Sequence, residues 1–439
     1  MTTQAPASSK KLTKEHKKVL AGSVAGTTIE WFDFFIYAQA AGLVFATLYF
    51  DPVGNNNPSL AQITSWASLG ISFLFRPLGA VLAGYLGDRF GRKIVLVLTL
   101  AGMGGATVAI GFLPTYSSIG MAAPIILVLL RILQGLSAGG EWGGAAMLAV
   151  EHAPQGRRGY FGSFPQFGVP AGMLSATIFM LILSSILSQE QFLEWGWRIP
   201  FISSIVLIVI AFWIRALVAE SPVFAEMQKL KQRSPAPVRV LFKNHTPTVI
   251  KAALIFAGNN AAGYLIIAYF TSYATGVVGH SRTSALFVAL LGAIAWLVGM
   301  YISGGLSDQV GRKKLFTIGY ILLALWAVPT FMLIDTGSLF LYAFAIIVMG
   351  LLLGPSYAPQ SAMYAEMFPV SVRLSGVSIG YALGSIIGGA FAPMISEMVF
   401  NATGTSISIG VYIAVVCVIS LIAVRTVPNG IQDRDLHAH

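Results

Sequence analysis

The sequence predicts an all-α membrane protein whose twelve transmembrane helices form two six-helix bundles. Of its 439 residues, 56% are hydrophobic and only 10% are charged, whereas soluble proteins carry about 25% charged residues. Apolar runs recur along the whole chain, and a span needs roughly 20 such residues. Motifs of the first half also return in the second half, which indicates two related bundles.

The apolar runs place the twelve spans with short connections between them. One longer hydrophilic connection carries prolines and charges of both signs, which is typical of a linker. It divides the chain into an N-terminal bundle (1–218), a linker (219–247) and a C-terminal bundle (248–439). The predicted spans are 19–48, 60–86, 94–113, 121–149, 160–187, 198–218, 248–276, 283–306, 315–334, 338–362, 374–400 and 406–426.

The net charge of +10 has a distribution that predicts orientation. Lys and Arg lie almost entirely in connections on one side, and such an excess marks the cytoplasmic side of a membrane protein. Both termini and the linker are therefore predicted to be cytoplasmic in a multi-pass cell-membrane protein. The bilayer accounts for the charge, so no nucleic-acid partner is expected. The basic residues concerned include Lys14, Lys17, Arg89, Arg92, Arg157, Lys229, Arg239, Lys243, Arg312 and Arg373.

Two connections are repeated at matching places in both halves. The run GDRFGRK (87–93) follows span 2, and SDQVGRK (307–313) follows span 8. After span 4 comes EHAPQGRR (151–158), and EMFPVSVR (366–373) follows span 10 with its Glu, Pro and Arg at the same spacing. Repeated halves of this kind build transporters whose substrate site lies between the halves near midplane.

These motifs resemble the signatures of the major facilitator superfamily, and the resemblance covers the whole chain. RILQG (131–135) resembles a signature associated with proton coupling. EWFDF (30–34), RPLG (76–79), GGEWG (139–143) and WGWRIP (195–200) resemble the metabolite:proton symporters of that superfamily, and most nearly its shikimate carriers. The resemblance implies the major facilitator fold, two pseudo-symmetric bundles, and symport by alternating access.

Five charged residues lie inside apolar spans: Glu30, Asp33, Arg76, Arg131 and Glu141. Each costs roughly 2.5–3.5 kcal/mol at the helix centre, so such residues face a bundle interior or a wet cavity. Three carboxylates face two guanidinium groups, and a buried carboxylate without full compensation readily takes a proton. Asp33 is the first candidate for proton coupling, followed by Glu30, with Arg131 and Glu141 assisting. Static ion pairs between spans 1, 2 and 4 are the alternative.

Arg76 is the candidate partner for a substrate carboxylate, because a guanidinium offers a planar fork of donors to that group. The predicted substrate is a small organic acid, shikimate-like or a dicarboxylate, carried together with protons. A zwitterionic osmolyte such as proline or betaine, or passive facilitation, remains the alternative. Interhelical hydrogen bonding is the competing role for the other candidate substrate residues, Tyr37, Gln134, Asn259, Asn260, Tyr264 and Gln360.

The resemblance also implies a charge relay that closes the cytoplasmic side. Lipid-facing basic residues alone explain the Lys and Arg of these connections but not the repeated acids. Glycines four residues apart in span 11, from Gly376 to Gly388, let helix backbones approach closely. The resemblance implies that this span moves against span 2, and tight static packing is the alternative. The predicted gate residues are Asp88, Arg92, Glu151, Arg158, Asp308, Arg312, Glu366 and Arg373.

Other function classes lack their sequence features. An ATP-driven pump needs a phosphate-binding loop of the type Gly-x-x-x-x-Gly-Lys-Ser/Thr, which the sequence lacks. His, Cys and acidic residues are too scattered for a metal site or an enzyme's nucleophile. A transporter-like sensor would need a signalling domain. The chain is therefore predicted to be a non-enzymatic transporter without metal or cofactor, working as a monomer on a small metabolite and protons.

Overall fold

The computed structural model describes residues 14–51, 57–90, 92–139, 141–151, 153–154, 156–217, 237–369 and 372–433. This part of the chain contains twelve long helices, α1 to α12, and no strand. Each predicted span coincides with one of them. Those of the first half are α1 (Lys14–Ala40, continued by the π-helical Ala41–Phe50), α2 (Pro58–Phe90), α3 (Arg92–Phe112), α4 (Ala122–Ala138 and Glu141–Glu151), α5 (Arg158–Ile186) and α6 (Arg198–Leu217).

The second half repeats this arrangement. Ten of the twelve helices are long and apolar enough to cross a membrane; α3 and α6, whose side chains are described only in part, are not among them. The helices of the second half are α7 (Thr246–Tyr264, Leu265–Tyr269 and Phe270–Gly276), α8 (Arg282–Val310), α9 (Arg312–Ile334), α10 (Leu339–Tyr357 and Gln360–Met367), α11 (Arg373–Gly384, Ser385–Ala390 and Ala392–Thr403) and α12 (Ile407–Arg425).

The predicted linker is described only from residue 237 onward, and residues 218–236 lie outside the described part. Its last section forms a short amphipathic helix, Pro237–Asn244, which buries Leu241 and contacts the first segment of α11. The end of the predicted linker is therefore helical and packs against the second half.

Several helices change geometry partway along their length. In α4, the backbone at Gly139 is extended, with φ −70° and ψ 96°, and separates the two helical segments. α10 is interrupted at Pro359, since proline cannot donate the next helical hydrogen bond. α1, α7 and α11 contain π-helical turns, which are frequent at functional sites. These irregular points divide helices that contact the other half.

The two halves meet along a seam formed by a few helix pairs. α5 packs along α8, and α2 packs along α11. α1 contacts α7, while the second segments of α4 and α10 contact helices across the seam. We call the ends where α2 and α8 finish the inner end, and the ends where α1 and α7 finish the outer end.

Glycines of α11 pack against α7. A Cβ at Gly384 would lie 2.8 Å from the carbonyl oxygen of Ala253, and one at Gly380 would lie 2.9 Å from the Cβ of Ala252. Both neighbours belong to α7, and Gly388 likewise faces the backbone of Ala257. Span 11 does pack against span 2 as predicted, but its glycine row lies on another face, where it lets α7 and α11 pack closely within one half.

Candidate functional site

A small cavity lies within the first half, between α1, α2, α3 and α4. Its volume is about 20 Å³, enough for a single ordered water molecule and far below the size of a metabolite. The cavity brings together five of the residues predicted from the sequence. Its lining is Glu30, Asp33, Phe34, Ser72, Arg76, Met103, Arg131, Gln134, Gly135 and Ala138.

Asp33 is buried and its carboxylate is held by two hydroxyl groups. Ser204 Oγ on α6 donates to Oδ1 at 2.6 Å, and Thr107 Oγ1 on α3 donates to Oδ2 at 3.2 Å. Within the residues that the structure describes, Asp33 makes no ion pair. The interpretation of static ion pairs therefore does not describe Asp33 in this part of the chain.

The guanidinium group of Arg131 donates its hydrogen bonds to neutral acceptors. Nη2 donates to the carbonyl of Leu69 at 3.1 Å and to Ser72 Oγ at 2.8 Å, both on α2. Nη1 donates to Gln134 Oε1 at 2.6 Å, and the guanidinium carbon lies 3.8 Å from the ring centre of Tyr37. Tyr37 itself contacts Ser68 at 2.7 Å and is not part of the cavity lining. Arg131 thus ties α4 to α2.

A chain of hydrogen bonds joins the arginine to Asp33. Gln134 Nε2 donates to Thr107 Oγ1 at 2.7 Å, so Gln134 links Arg131 to Thr107, which in turn reaches Asp33. Thr107 also lies 3.0 Å from the carbonyl of Met103. A hydroxyl group has one proton and two acceptor positions, so Thr107 donates either to Asp33 or to that carbonyl.

Arg76 differs from Arg131 because aromatic rings surround its guanidinium. The guanidinium carbon lies 4.4 Å from the ring centre of Phe73 and 5.5 Å from that of Trp31. Its Nε is buried and has no hydrogen-bond partner in the described part of the chain. Tyr264, which packs edge-on against Phe34 and Phe73 at 5.4 Å, brings the second half up to this cluster.

The two remaining intramembrane acids differ in how much of them is described. Glu30 is buried and lines the cavity beside Asp33. The backbone of Glu141 begins the second segment of α4, whereas its side chain lies outside the described residues.

The predicted substrate residues of the second half do not line this cavity. Asn259 Nδ2 donates to the carbonyl of Leu353 and to Ser356 Oγ, at 3.1 and 2.7 Å, and so joins α7 to α10. Asn260 and Tyr264 lie against Gly389 of α11. Asn260 Nδ2 and the Tyr264 hydroxyl are buried without a hydrogen-bond partner among the described residues.

Between the cavity and the inner end, aromatic and amide side chains connect the two halves. Trp142 of α4 stacks on Tyr381 of α11, with ring centres 3.6 Å apart, and Tyr381 stacks on Phe256 of α7 at 4.7 Å. Gln166 of α5 donates to Oε1 of Gln360 at 2.9 Å, which places this predicted residue at the seam. Trp142 Nε1 donates to Gln166 Oε1 at 2.7 Å. We call Trp142, Gln166, Gln360 and Tyr381 the inner plug.

At the inner end, Asp308 of α8 reaches the start of α5. Its carboxylate accepts the backbone N–H groups of Gly159 and Tyr160, at 2.8 and 2.9 Å, where the helix dipole favours an anion. Asp308 also pairs with Arg312 at 2.7 Å, and Arg312 lies 3.4 Å from Glu366. Three of the predicted gate residues therefore form one cluster that contacts the other half.

The other predicted gate residues are described less completely. Arg373 Nε donates to the carbonyl of Phe368 at 3.2 Å, Arg158 is half-buried, and Glu151 is exposed. The side chains of Asp88 and Arg92 lie outside the described residues.

The outer end also has contacts across the seam. Ser272 Oγ of α7 donates to the carbonyl of Gly42 at 3.2 Å. Arg282 of α8 donates to Ser184 Oγ and Gln189 Oε1, at 2.6 and 2.7 Å. Within the described part of the chain, the two halves therefore touch each other at the inner end and at the outer end.

Sequence reasoning missed several residues of this site. Thr107 and Ser204 are hydroxyl residues in apolar spans, and such residues most often bond to their own helix, so nothing distinguished them. Gln166 carried a stronger signal, since an amide within span 5 needs a buried partner. Trp142 and Tyr381 are separated by most of the chain, and only the fold reveals that they stack.

Comparisons with known proteins agree with this architecture. The sequence profile of the Major Facilitator Superfamily matches residues 25–393 and 297–435. An inner membrane metabolite transport protein of Escherichia coli K12 is 40% identical over 412 residues, which cover 92% of each chain. The shikimate transporter of the same organism is 36% identical over 409 residues, again 92% of each.

The chain is also similar to a further sequence relative and to a solved structure. A putative proline/betaine transporter of Staphylococcus aureus is 31% identical over 414 residues, covering 94% of this chain and 88% of its own. The crystal structure of a D-xylose-proton symporter superposes with a TM-score of 0.73 over 94% of this chain and 97% of its own. At 18% identity, this second likeness shows a shared fold.

Proposed function

Because the chain belongs to the Major Facilitator Superfamily and is a multi-pass membrane transporter of metabolites, we propose that it imports a small organic acid together with protons. One observation carries this proposal. A buried carboxylate without an ion pair among the described residues, Asp33, shares a cavity wall with Arg76, whose Nε has no described hydrogen-bond partner. The carboxylate of Asp33 can bind a proton, and the guanidinium of Arg76 can bind an anion.

The surroundings of Asp33 accommodate both protonation states. When ionised, the carboxylate accepts hydrogen bonds from Ser204 and Thr107. When protonated, it donates to one hydroxyl, which then turns to the carbonyl one helical turn earlier: Met103 for Thr107 at 3.0 Å, or Pro200 for Ser204 at 3.3 Å. Since neither state leaves a donor without an acceptor, a proton can bind and leave without breaking up the site.

The environment of Arg76 favours the carboxylate of a ligand over a quaternary ammonium group. Quaternary ammonium groups bind on aromatic faces, and here the Arg76 guanidinium already lies over Phe73 and Trp31. A cationic group would compete for those rings and be repelled by Arg76, whereas a carboxylate would pair with it. This supports a shikimate-like acid or a dicarboxylate. Proline and betaine, which one relative's name suggests, also carry a carboxylate, but their cationic group would need a place away from Arg76.

Alternating access would then proceed by movement of the bundle 1–218 relative to the bundle 248–439. The protein would work as a monomer in the cell inner membrane. The Asp308–Arg312–Glu366 cluster and the inner plug would separate for release toward the cytoplasm, where both termini would lie. The contacts of Ser272 and Arg282 would separate for loading from outside. A closed intermediate between these two states has the contacts described above at both ends.

The test of coupling is Asp33→Asn, which keeps size and polarity but removes the titratable proton. In proteoliposomes we expect loss of shikimate or 2-oxoglutarate accumulation driven by a pH gradient, while exchange of internal for external substrate persists. Asp335→Asn is the matched control, because Asp335 lies at the outer end and accepts from Tyr273 and Ser406. Proton-driven accumulation at the wild-type rate in Asp33→Asn would exclude Asp33 as the proton site.

The substrate class needs a separate measurement. Ligands that bind the native state raise the melting temperature, so purified protein can be screened against organic acids, betaine, proline and sugars. We expect acids alone to stabilise it. Stabilisation only by betaine, proline or neutral sugars would reject the organic-acid assignment while leaving the transporter family untouched.

A further inference from the structure

We propose that Trp31 is a second substrate-binding residue, whose indole N–H donates to the same carboxylate that pairs with Arg76. This inference rests on the proposed organic-acid function and adds a residue to its binding site. The pair Trp31 and Arg76, which we call the anion clamp, would make the site selective for an ionised carboxylate over its neutral ester.

The first observation is that both members of the anion clamp have unused donors. Trp31 is 3% exposed, and its Nε1 has no hydrogen-bond partner among the described residues. Arg76 is 9% exposed, and its Nε likewise has no hydrogen-bond partner among the described residues. A buried donor without an acceptor is unfavourable. A ligand group that accepts hydrogen bonds from Trp31 and Arg76 would therefore gain binding free energy.

The second observation is their distance. The guanidinium carbon of Arg76 lies 5.5 Å from the ring centre of Trp31. A carboxylate has two oxygens with about four acceptor positions, and each charged hydrogen bond is about 2.7–2.9 Å long. At this separation a single carboxylate spans the distance between the guanidinium and the indole, and we infer that it accepts from both. Arg76 also lines the cavity of the first half, so one member of the clamp already faces an internal space.

A second Trp–Arg pair in the chain shows why this one is distinctive. Arg198 lies 4.6 Å from the ring centre of Trp197, whose Nε1 is also buried without a described partner. However, Nη1 of Arg198 already donates to the carbonyls of Gly111 and Leu113, at 2.9 and 2.6 Å. That guanidinium secures the connection after α3, whereas Arg76 has no comparable use among the described contacts.

The clamp predicts a particular kind of selectivity. An uncharged ester offers a weaker acceptor to both donors and cannot form the charge-assisted fork. Trp31 also keeps Arg76 in position, because its ring lies against the guanidinium and remains there when an anion binds. The ring and the N–H group therefore make separable contributions, and Trp31→Phe removes only the second.

The experiment measures binding of shikimate and of shikimate methyl ester to the purified full-length protein by calorimetry. We expect Trp31→Phe to weaken shikimate binding about tenfold or more, as for loss of one hydrogen bond to a charged group. Its preference for acid over ester should fall, while Trp197→Phe, the matched control, should keep the wild-type values. Trp31→His, which restores an N–H donor, should recover part of the affinity.

The outcomes separate this inference from the proposed function. Unchanged acid binding in Trp31→Phe, together with its loss in Arg76→Lys, would overturn the role of Trp31 and leave the organic-acid proposal standing. A wild type that binds neither shikimate nor 2-oxoglutarate would overturn both. If Trp31→Phe does not fold, indole N–H signals in NMR spectra of the wild type replace it. Shikimate should then shift one signal that the ester leaves in place, and the absence of such a shift rejects the clamp.

Discussion

Arg76 and Arg131 both line the cavity, yet they use their guanidinium groups in opposite ways. Arg131 donates to Leu69, Ser72 and Gln134, so its removal would leave several buried acceptors without a donor. Arg76 contacts aromatic rings and keeps Nε free of described partners. The first arrangement stabilises the N-terminal bundle, and the second leaves binding capacity for a ligand.

Replacing each arginine with lysine should separate these two uses. Arg131→Lys cannot reproduce the planar fork, and each buried acceptor left unsatisfied costs about 1–3 kcal/mol. We expect its melting temperature in detergent to fall well below that of wild type. Arg76→Lys should unfold close to the wild-type temperature but lose the stabilisation that organic acids provide. Equal destabilisation by the two changes would contradict this division of roles.

At the scale of helices, the breaks in α4 and α10 coincide with the inner plug. Gly139 separates the segment that lines the cavity from the one that carries Trp142, and Pro359 comes directly before Gln360. A broken helix allows its two segments to differ in direction. The side chains below the cavity can therefore contact the opposite half without tilting the segments that form the cavity wall.

The stack between Trp142 and Tyr381 should hold the inner end closed. Such aromatic pairs contribute about 0.5–1.5 kcal/mol, and losing one would shift the population of the open state roughly two- to twelvefold. In a Cys417→Ser background, a cysteine at Ala138 should react faster with a maleimide added from the inner side when Trp142 is changed to Leu.

The matched control for that experiment is Trp326→Leu. Trp326 donates to the carbonyl of Ala345 within the second half and does not belong to the inner plug. We expect it to leave the reaction at the cysteine unchanged. An equal rate in the Trp142 variant and the wild type would show that the stack does not control access to the cavity.

At the scale of the whole molecule, the described parts of the two halves touch at both ends, and the cavity within the first half has room for about one water molecule. α5 and α8 illustrate this, because Asp308 joins them at the inner end and Arg282 at the outer end. Either set of contacts must break before a metabolite can enter or leave. Transport by this fold therefore requires the halves to move relative to one another, as expected of repeated bundles.

The orientation of the whole molecule in the membrane can be tested with single cysteines. The distribution of basic residues predicts that the linker lies on the cytoplasmic side, so cysteines introduced at Asn57 and Asn244, both exposed, should react from opposite sides. In intact cells, an impermeant maleimide should label the cysteine at position 57 and leave the one at 244 unreacted until the membrane is opened. Reaction of both in intact cells would reject the predicted topology.

Part of the candidate site was already predictable from residue type and position. Charges inside apolar spans are costly, so Glu30, Asp33, Arg76 and Arg131 stood out, and the structure places all four on one cavity. Their partners were not predictable. Whether Asp33 meets a guanidinium or two hydroxyls depends on the rotation of α3 and α6 around α1, and apolar sequence does not specify that rotation.

The helical membrane fold, the twelve spans to within a few residues and the repeated connections could be predicted from the sequence. Hydrophobic length and charge placement decide these features locally, because lipid excludes unpaired backbone groups. Three features became visible in the folded molecule alone: the glycines of α11 face α7, Trp142 stacks on Tyr381, and the halves touch at both ends of the described part. Those facts depend on which faces of distant helices come together, and within a membrane nearly every face is apolar, so the pattern alone does not select among them.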